Sequence, residues 1–82
     1  MRAIVSVTLK QDVLDPQGKA IQRACAALGH EKVSEVRQGK FFELMLSAAD
    51  QESALRLVQE IASSLLSNPV IEDFKIERID PA

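Results

Sequence analysis

The stretch Val13-Leu14-Asp15-Pro16-Gln17-Gly18 joins an alternating segment to a helical one, and its reading sets the element order of the whole chain. Asp15 followed by Pro16 is a helix start. The carboxylate accepts a bond from an unpaired first-turn N–H, and proline at the first helical position leaves no N–H orphaned. Gln17 and Gly18 fall in the first turn, where glycine costs about 1 kcal/mol relative to alanine. If the turn is only a cap, Gly18→Ala stabilises the helix slightly. A cost carried just past a strand end marks the turn as a candidate contact surface.

Upstream, residues 3–10 alternate as a strand, with Ala3, Val5, Val7 and Leu9 on one face and Ser6, Thr8 and Lys10 on the other. Downstream, Ala20, Ile21, Ala24, Cys25 and Leu28 make a helical stripe, and Gly29 suits the position just past the helix end. Residues 33–37 and 40–47 read as extended, broken at Gln38-Gly39. Gly39 is either a hairpin turn or a bulge within one long bent strand. Phe42, Leu44 and Leu46 share one face of the later segment, and Phe41 and Met45 the other.

Asp50 opens a second helix, with Ala54, Leu57, Val58, Ile61, Ala62 and Leu65 as its buried stripe and Ser67-Asn68-Pro69 as its stop. Residues 70–79 are the last strand, with Val70, Phe74 and Ile76 on one face and Asp73, Lys75 and Glu77 on the other. The order β-α-β-β-α-β, or β-α-β-α-β with one long bent middle strand, defines an α+β two-layer sandwich of ferredoxin-like type, residues 1–82 forming one domain. Both helices are expected on one face of an antiparallel sheet. The helix-free face should carry Ile4, Phe41 and Met45, which makes it the expected dimerisation surface.

Composition narrows the function. An 82-residue chain has a thin core that partners often supplement. A net charge of −2 with three Phe and neither Trp nor Tyr lacks the basic stripe and stacking aromatics of a nucleic-acid binder. No apolar run approaches the ~20 residues of a membrane span. A single cysteine permits no internal disulfide, in keeping with a reducing cytoplasm.

Reactive constellations are scarce. Cys25 and His30 straddle a helix end and would not face each other; Cys25 reads as a buried inert thiol and His30 as a solvated side chain, with no further ligand to complete a metal site. Glu31, Glu35, Glu43, Glu72, Asp73 and Glu77 are dispersed among lysines and arginines as a solvated mixed-charge surface. Arg37-Gln38-Gly39-Lys40 is either an exposed turn or a contact for a partner or phosphate, and it lacks the spaced glycines of a phosphate loop. The residues taken alone describe a binding or structural module.

Three segments together resemble the PurS family, the small subunit of bacterial and archaeal phosphoribosylformylglycinamidine synthase. They are Leu9-Lys10 with Val13–Gly18 and Ala20, then Val36-Arg37-Gln38-Gly39-Lys40 with Glu43-Leu44, then Leu65-Leu66-Ser67-Asn68-Pro69-Val70-Ile71-Glu72. Asp12 stands where the family often has glycine, and Phe74 where it often has tyrosine. The resemblance implies a non-catalytic subunit of a glutamine-dependent ligase of purine biosynthesis. Such a chain dimerises and bridges a glutaminase and a synthetase subunit, helping ammonia pass between them. It binds no cofactor of its own, while ATP and glutamine are used by the partner subunits. The candidate contact residues are Asp15, Pro16, Gln17 and Gly18 at the helix start, Arg37, Gly39 and Lys40 at the bend, and Asn68 and Pro69 at the helix stop. No catalytic residue, metal, nucleic acid or membrane is expected. The alternative reading is a ferredoxin-like regulatory domain that senses a small molecule, which rests on architecture alone.

Overall fold

A computed structural model describes residues 1–81. The elements are β1 (Arg2–Leu9), α1 (Pro16–Ala27), β2 (Gly39–Met45), α2 (Gln51–Ile61) and β3 (Glu72–Asp80). The three strands form one antiparallel sheet in the order β2-β1-β3. β1 lies in the middle because its alternation supplies small apolar residues that a two-sided sheet can cover. Ala3, Val5 and Val7 are fully buried on one face, opposite Leu44, Phe42 and Lys40 of β2. On the β3 side Val5 faces Ile76 and Val7 faces Phe74. The register slips between Ile4 and Val5, leaving Glu77 as an extra residue, and this bulge returns Ile79 to the core face beside Ala3.

Three details of the strands resolve or correct the sequence reading. Residues 33–37, read as extended, pair with no strand, so of the two expected orders the structure has β-α-β-α-β, and Gly39 opens β2 without a hairpin. The last strand starts at Glu72 because Asn68–Ile71 make a turn, which leaves Val70 78% exposed. Ile4, expected to be open on the helix-free face, is buried because it sits mid-sheet between Glu43 and Arg78, whose long side chains flank it. Phe41 and Met45 are exposed on that face as expected.

Helix α2 is capped by Asp50, whose Oδ1 accepts the Ser53 N–H at 2.8 Å, and it buries Ala54 and Val58 against the sheet. It continues into one π-helical turn, Ala62–Leu66, closed by the Ser67 N–H donating to the Ala62 carbonyl at 3.0 Å. A π turn holds one residue more than an α turn, so every side chain after it is set back by one position. Leu66 therefore takes the core place that the 3.6-residue period assigns to Leu65, and Leu65 is 79% exposed. Leu57, also expected inside, lies at the edge of the stripe and is 40% exposed.

Helix α1 departs most from expectation. It ends as predicted at Gly29, φ +92°, with His30 N–H to the Cys25 carbonyl and Gly29 N–H to the Ala26 carbonyl. Its apolar stripe is not buried, however: Ile21 and Leu28 are exposed, and Cys25, expected to be buried, is half-buried. Within one chain α1 makes only marginal contact with the sheet. The molecule is accordingly 50 Å long, with a radius of gyration of 16.0 Å.

A candidate partner-contact site at the end of the sheet

The three sequence segments, far apart along the chain, meet at the junction of the sheet with α1. They line a cleft of about 310 Å³ formed by Val7, Leu9, Asp15, Pro16, Gln17, Gln38, Gly39, Lys40 and Glu72. Asp15 is the knot. One carboxylate oxygen accepts the Gly18 N–H at 2.9 Å and caps α1; the other accepts the Gln38 N–H at 2.7 Å. These two bonds, the Gln38 one foremost, hold the Asp15 pKa below its ordinary value of 3.8, with the nearby Arg37 charge adding to them.

Arg37 is not a solvated turn cation. Its Nη2 donates to the carbonyls of Lys10 at 2.8 Å and Val13 at 3.0 Å, so it pins the loop that precedes α1. Gly18 is buried under the Val36 carbonyl, which a Cβ at that position would overlap. Gly39 has a like reason, since a Cβ there would stand 2.5 Å from the Val7 carbonyl oxygen and 2.7 Å from Thr8 Cγ2. The two glycines thus allow strand segment, loop and helix start to touch backbone to backbone.

Across the cleft, Lys40 Nζ lies 3.4 Å from Glu72 Oε2, while Glu72 Oε1 accepts the Asn68 N–H at 2.7 Å. The Asn68 bond is the main reason that the Glu72 carboxyl titrates below its ordinary range, with Lys40 adding to it. Asn68 also accepts the Val70 N–H through Oδ1 at 3.1 Å, and Pro69 sits exposed in that turn. Asn68 and Pro69 therefore lie beside the cleft and shape its Glu72 wall; Pro16, Gln17 and Lys40 are exposed at its rim.

Sequence reading placed Glu72 among the dispersed surface carboxylates and gave Gln38 only as part of the Arg37–Lys40 bend, not as a contact residue by itself. Glu72 closes the third segment, and the Asn68–Glu72 spacing of a turn was the signal that could have separated it. Among the described residues no group of three or more His, Cys, Asp or Glu is placed to hold a metal ion. No helix among them is long and apolar enough to cross a membrane.

Fold and site together define a small α+β module whose distinctive residues shape a surface. The family model PurS, described as phosphoribosylformylglycinamidine (FGAM) synthase, matches residues 2–80, and the chain belongs to that family. It is 51% identical over 77 residues to the Mycobacterium leprae phosphoribosylformylglycinamidine synthase subunit PurS, covering 94% of each chain. The Bacillus subtilis subunit PurS is 44% identical over 73 residues, 89% of this chain and 86% of the relative. Among solved structures, Thermus thermophilus PurS superposes with a TM-score of 0.88 at 34% identity, covering 99% of this chain and 95% of that one. A chain of the structure of PurLQS from Thermotoga maritima superposes with a TM-score of 0.83 at 27% identity, covering 96% and 99%.

Proposed function

We propose that this chain is the non-catalytic bridging subunit of FGAM synthase, holding a glutaminase and a synthetase subunit at fixed geometry so that ammonia passes between them. The observation that carries this reading is the convergence of all three family segments on one cleft in a chain matched from residue 2 to residue 80. Asp15, Arg37, Gly18 and Gly39 build the cleft, while Pro16, Gln17, Lys40 and the Asn68-Pro69 turn face outward from it. The first group makes the surface rigid and the second presents it. A rigid surface suits a bridge, since every segment ordered only on binding would cost affinity.

In this reading ATP and glutamine are consumed by the partner subunits in converting formylglycinamide ribonucleotide to the amidine. The chain works in the cytoplasm and takes no cofactor. Reconstitution with cognate glutaminase and synthetase subunits tests it. Glutamine-dependent amidine formation should require this chain, whereas ammonia-dependent formation by the synthetase subunit should not. Undiminished glutamine-dependent activity in its absence overturns the reading.

A further inference from the structure

Leu65 and Val70 are the two most exposed large apolar side chains among the described residues, and both belong to the segment that ends α2. Pro69 and Ile71 beside them are exposed as well. On a loose loop such side chains would turn inward, but here the backbone holds them out. The Ser67 N–H and hydroxyl both donate to the Ala62 carbonyl, at 3.0 and 2.8 Å, and Ser67 is buried. This closes the π turn, sends Leu66 to the core and fixes Leu65 outward. The hydroxyls of Ser63 and Ser64 are turned back onto the Glu60 carbonyl.

Asn68 fixes the turn that follows. Its N–H donates to Glu72 Oε1 at 2.7 Å, and its Oδ1 accepts the Val70 N–H at 3.1 Å. Its carbonyl accepts the N–H groups of Ile71 at 3.1 Å and Glu72 at 2.7 Å. Every backbone N–H from Ser67 to Glu72 is thus taken within this segment, Pro69 having none. The turn has no backbone donor left for a phosphate or a strand edge, and it can be covered without leaving a buried N–H unpaired. What it offers is aliphatic surface in a fixed position, so little ordering entropy is lost when a partner meets it.

We infer that Leu65 and Val70 are the apolar anchor of this chain on a partner subunit of the ligase, which offers them an apolar socket. Continuity with the partner-contact cleft points to that occupant. Glu72, which holds the turn through Asn68, is also a wall of the cleft, where Lys40 Nζ lies 3.4 Å from it. A second hollow, lined in part by Lys10, Ser67, Pro69 and Glu72, adjoins the cleft on the side of the turn. Size points the same way. A patch of four aliphatic side chains is on the order of 400 Å², about half of the ~800 Å² that one partner gives to a standard interface. It is too small to hold a second copy by itself, and it reaches interface size only together with the cleft rim of Gln17 and Lys40. An apolar centre beside a polar rim is the anatomy of a specific contact.

The inference rests on the bridging reading and adds residues that the three contact elements did not include. The test compares Leu65→Gln with Val70→Gln, which removes the apolar anchor, and Leu65→Met with Val70→Ile, which keeps it. Each full-length variant is titrated against the cognate glutaminase and synthetase subunits, separately and together. The glutamine pair should weaken the Kd for one of the two subunits by ~100-fold, and the apolar pair should stay within ~5-fold of the unmodified chain. Both variants should keep its melting temperature and its light-scattering mass. Unchanged affinity of the glutamine pair for both subunits overturns the inference. So does a lower mass, which makes a second copy the occupant, and so does a lower melting temperature, which shows the two side chains packed within their own chain. In each of these cases the bridging reading stands if the unmodified chain still supports glutamine-dependent amidine formation. An unmodified chain that binds neither subunit overturns both.

Discussion

The carbonyl oxygen of Val36 occupies the space that a side chain on Gly18 would need. A residue in the first turn of α1 is therefore chosen by a segment much later in the chain and not by helix propensity. Propensity alone says that Gly18→Ala stabilises by up to about 1 kcal/mol. The structure reverses the sign: the added methyl must push Val36 away and stretch the Asp15–Gln38 bond. Thermal denaturation should show a lower melting temperature for Gly18→Ala, and a rise would contradict this packing.

The Asp15 carboxylate makes stability depend on acid. Its pKa is lowered from 3.8, chiefly by the Gln38 and Gly18 N–H groups, and Asp50 and Glu72 are lowered in the same direction by Ser53 and Asn68. Near pH 3.8 the unfolded chain binds more protons than the folded one, so stability rises with pH there. The contribution is complete above the ordinary carboxylate range and is lost as pH falls through the depressed values. Urea midpoints measured from pH 6 down to pH 2.5 should drop through that window. Asp15→Asn should start from a lower midpoint at pH 6 and fall less steeply.

Arg37 joins the first and second family segments through the carbonyls of Lys10 and Val13. Arg37→Met keeps the length of the side chain and removes both donors. Hydrogen bonds from a charged group are worth about 1.5–3 kcal/mol, so a melting temperature lower by roughly 10 °C is expected for a domain of this size. A shift within ~2 °C would show that the guanidinium does not hold the loop.

Gln17 separates the cap from the contact surface. It is exposed at the cleft rim, and no side-chain bond of the fold depends on it. Gln17→Ala should leave the melting temperature and the oligomeric mass unchanged. In pull-down with the cognate glutaminase and synthetase subunits it should reduce the retained partner several-fold. Full retention would mean that this rim residue does not meet either partner.

The element order was legible because it rests on local chemistry: alternation in residues 3–9, the Asp15-Pro16 and Asp50 helix starts, Gly29 and Asn68-Pro69. The bend at Gln38-Gly39 was legible as a break but not as a shape, because either a hairpin or a continuous strand satisfies the same residues. The exposure of α1 was illegible for a different reason. An apolar stripe at Ala20, Ile21, Ala24 and Leu28 states that the helix is covered, not by which chain. At the site, the caps and glycines were visible and their partners were not. The Asp15–Gln38 and Lys40–Glu72 pairings join residues that only the fold brings together.

The π turn at Ala62–Leu66 gives a reading of its own, because it inverts what helical periodicity assigns to two adjacent leucines. A 3.6-residue stripe through Ala54, Val58 and Ile61 points Leu65 at the core and Leu66 away from it. With one residue added to the turn, Leu66 packs against the cluster around Val5 and Val58 while Leu65 is 79% exposed. Leu66→Ala should cost about 2 kcal/mol, whereas Leu65→Ala should fall within about 0.5 kcal/mol of the parent. Urea denaturation of the two variants decides it. Equal losses, or a larger loss at Leu65, would mean that the helix runs on as an ordinary α-helix to Ser67.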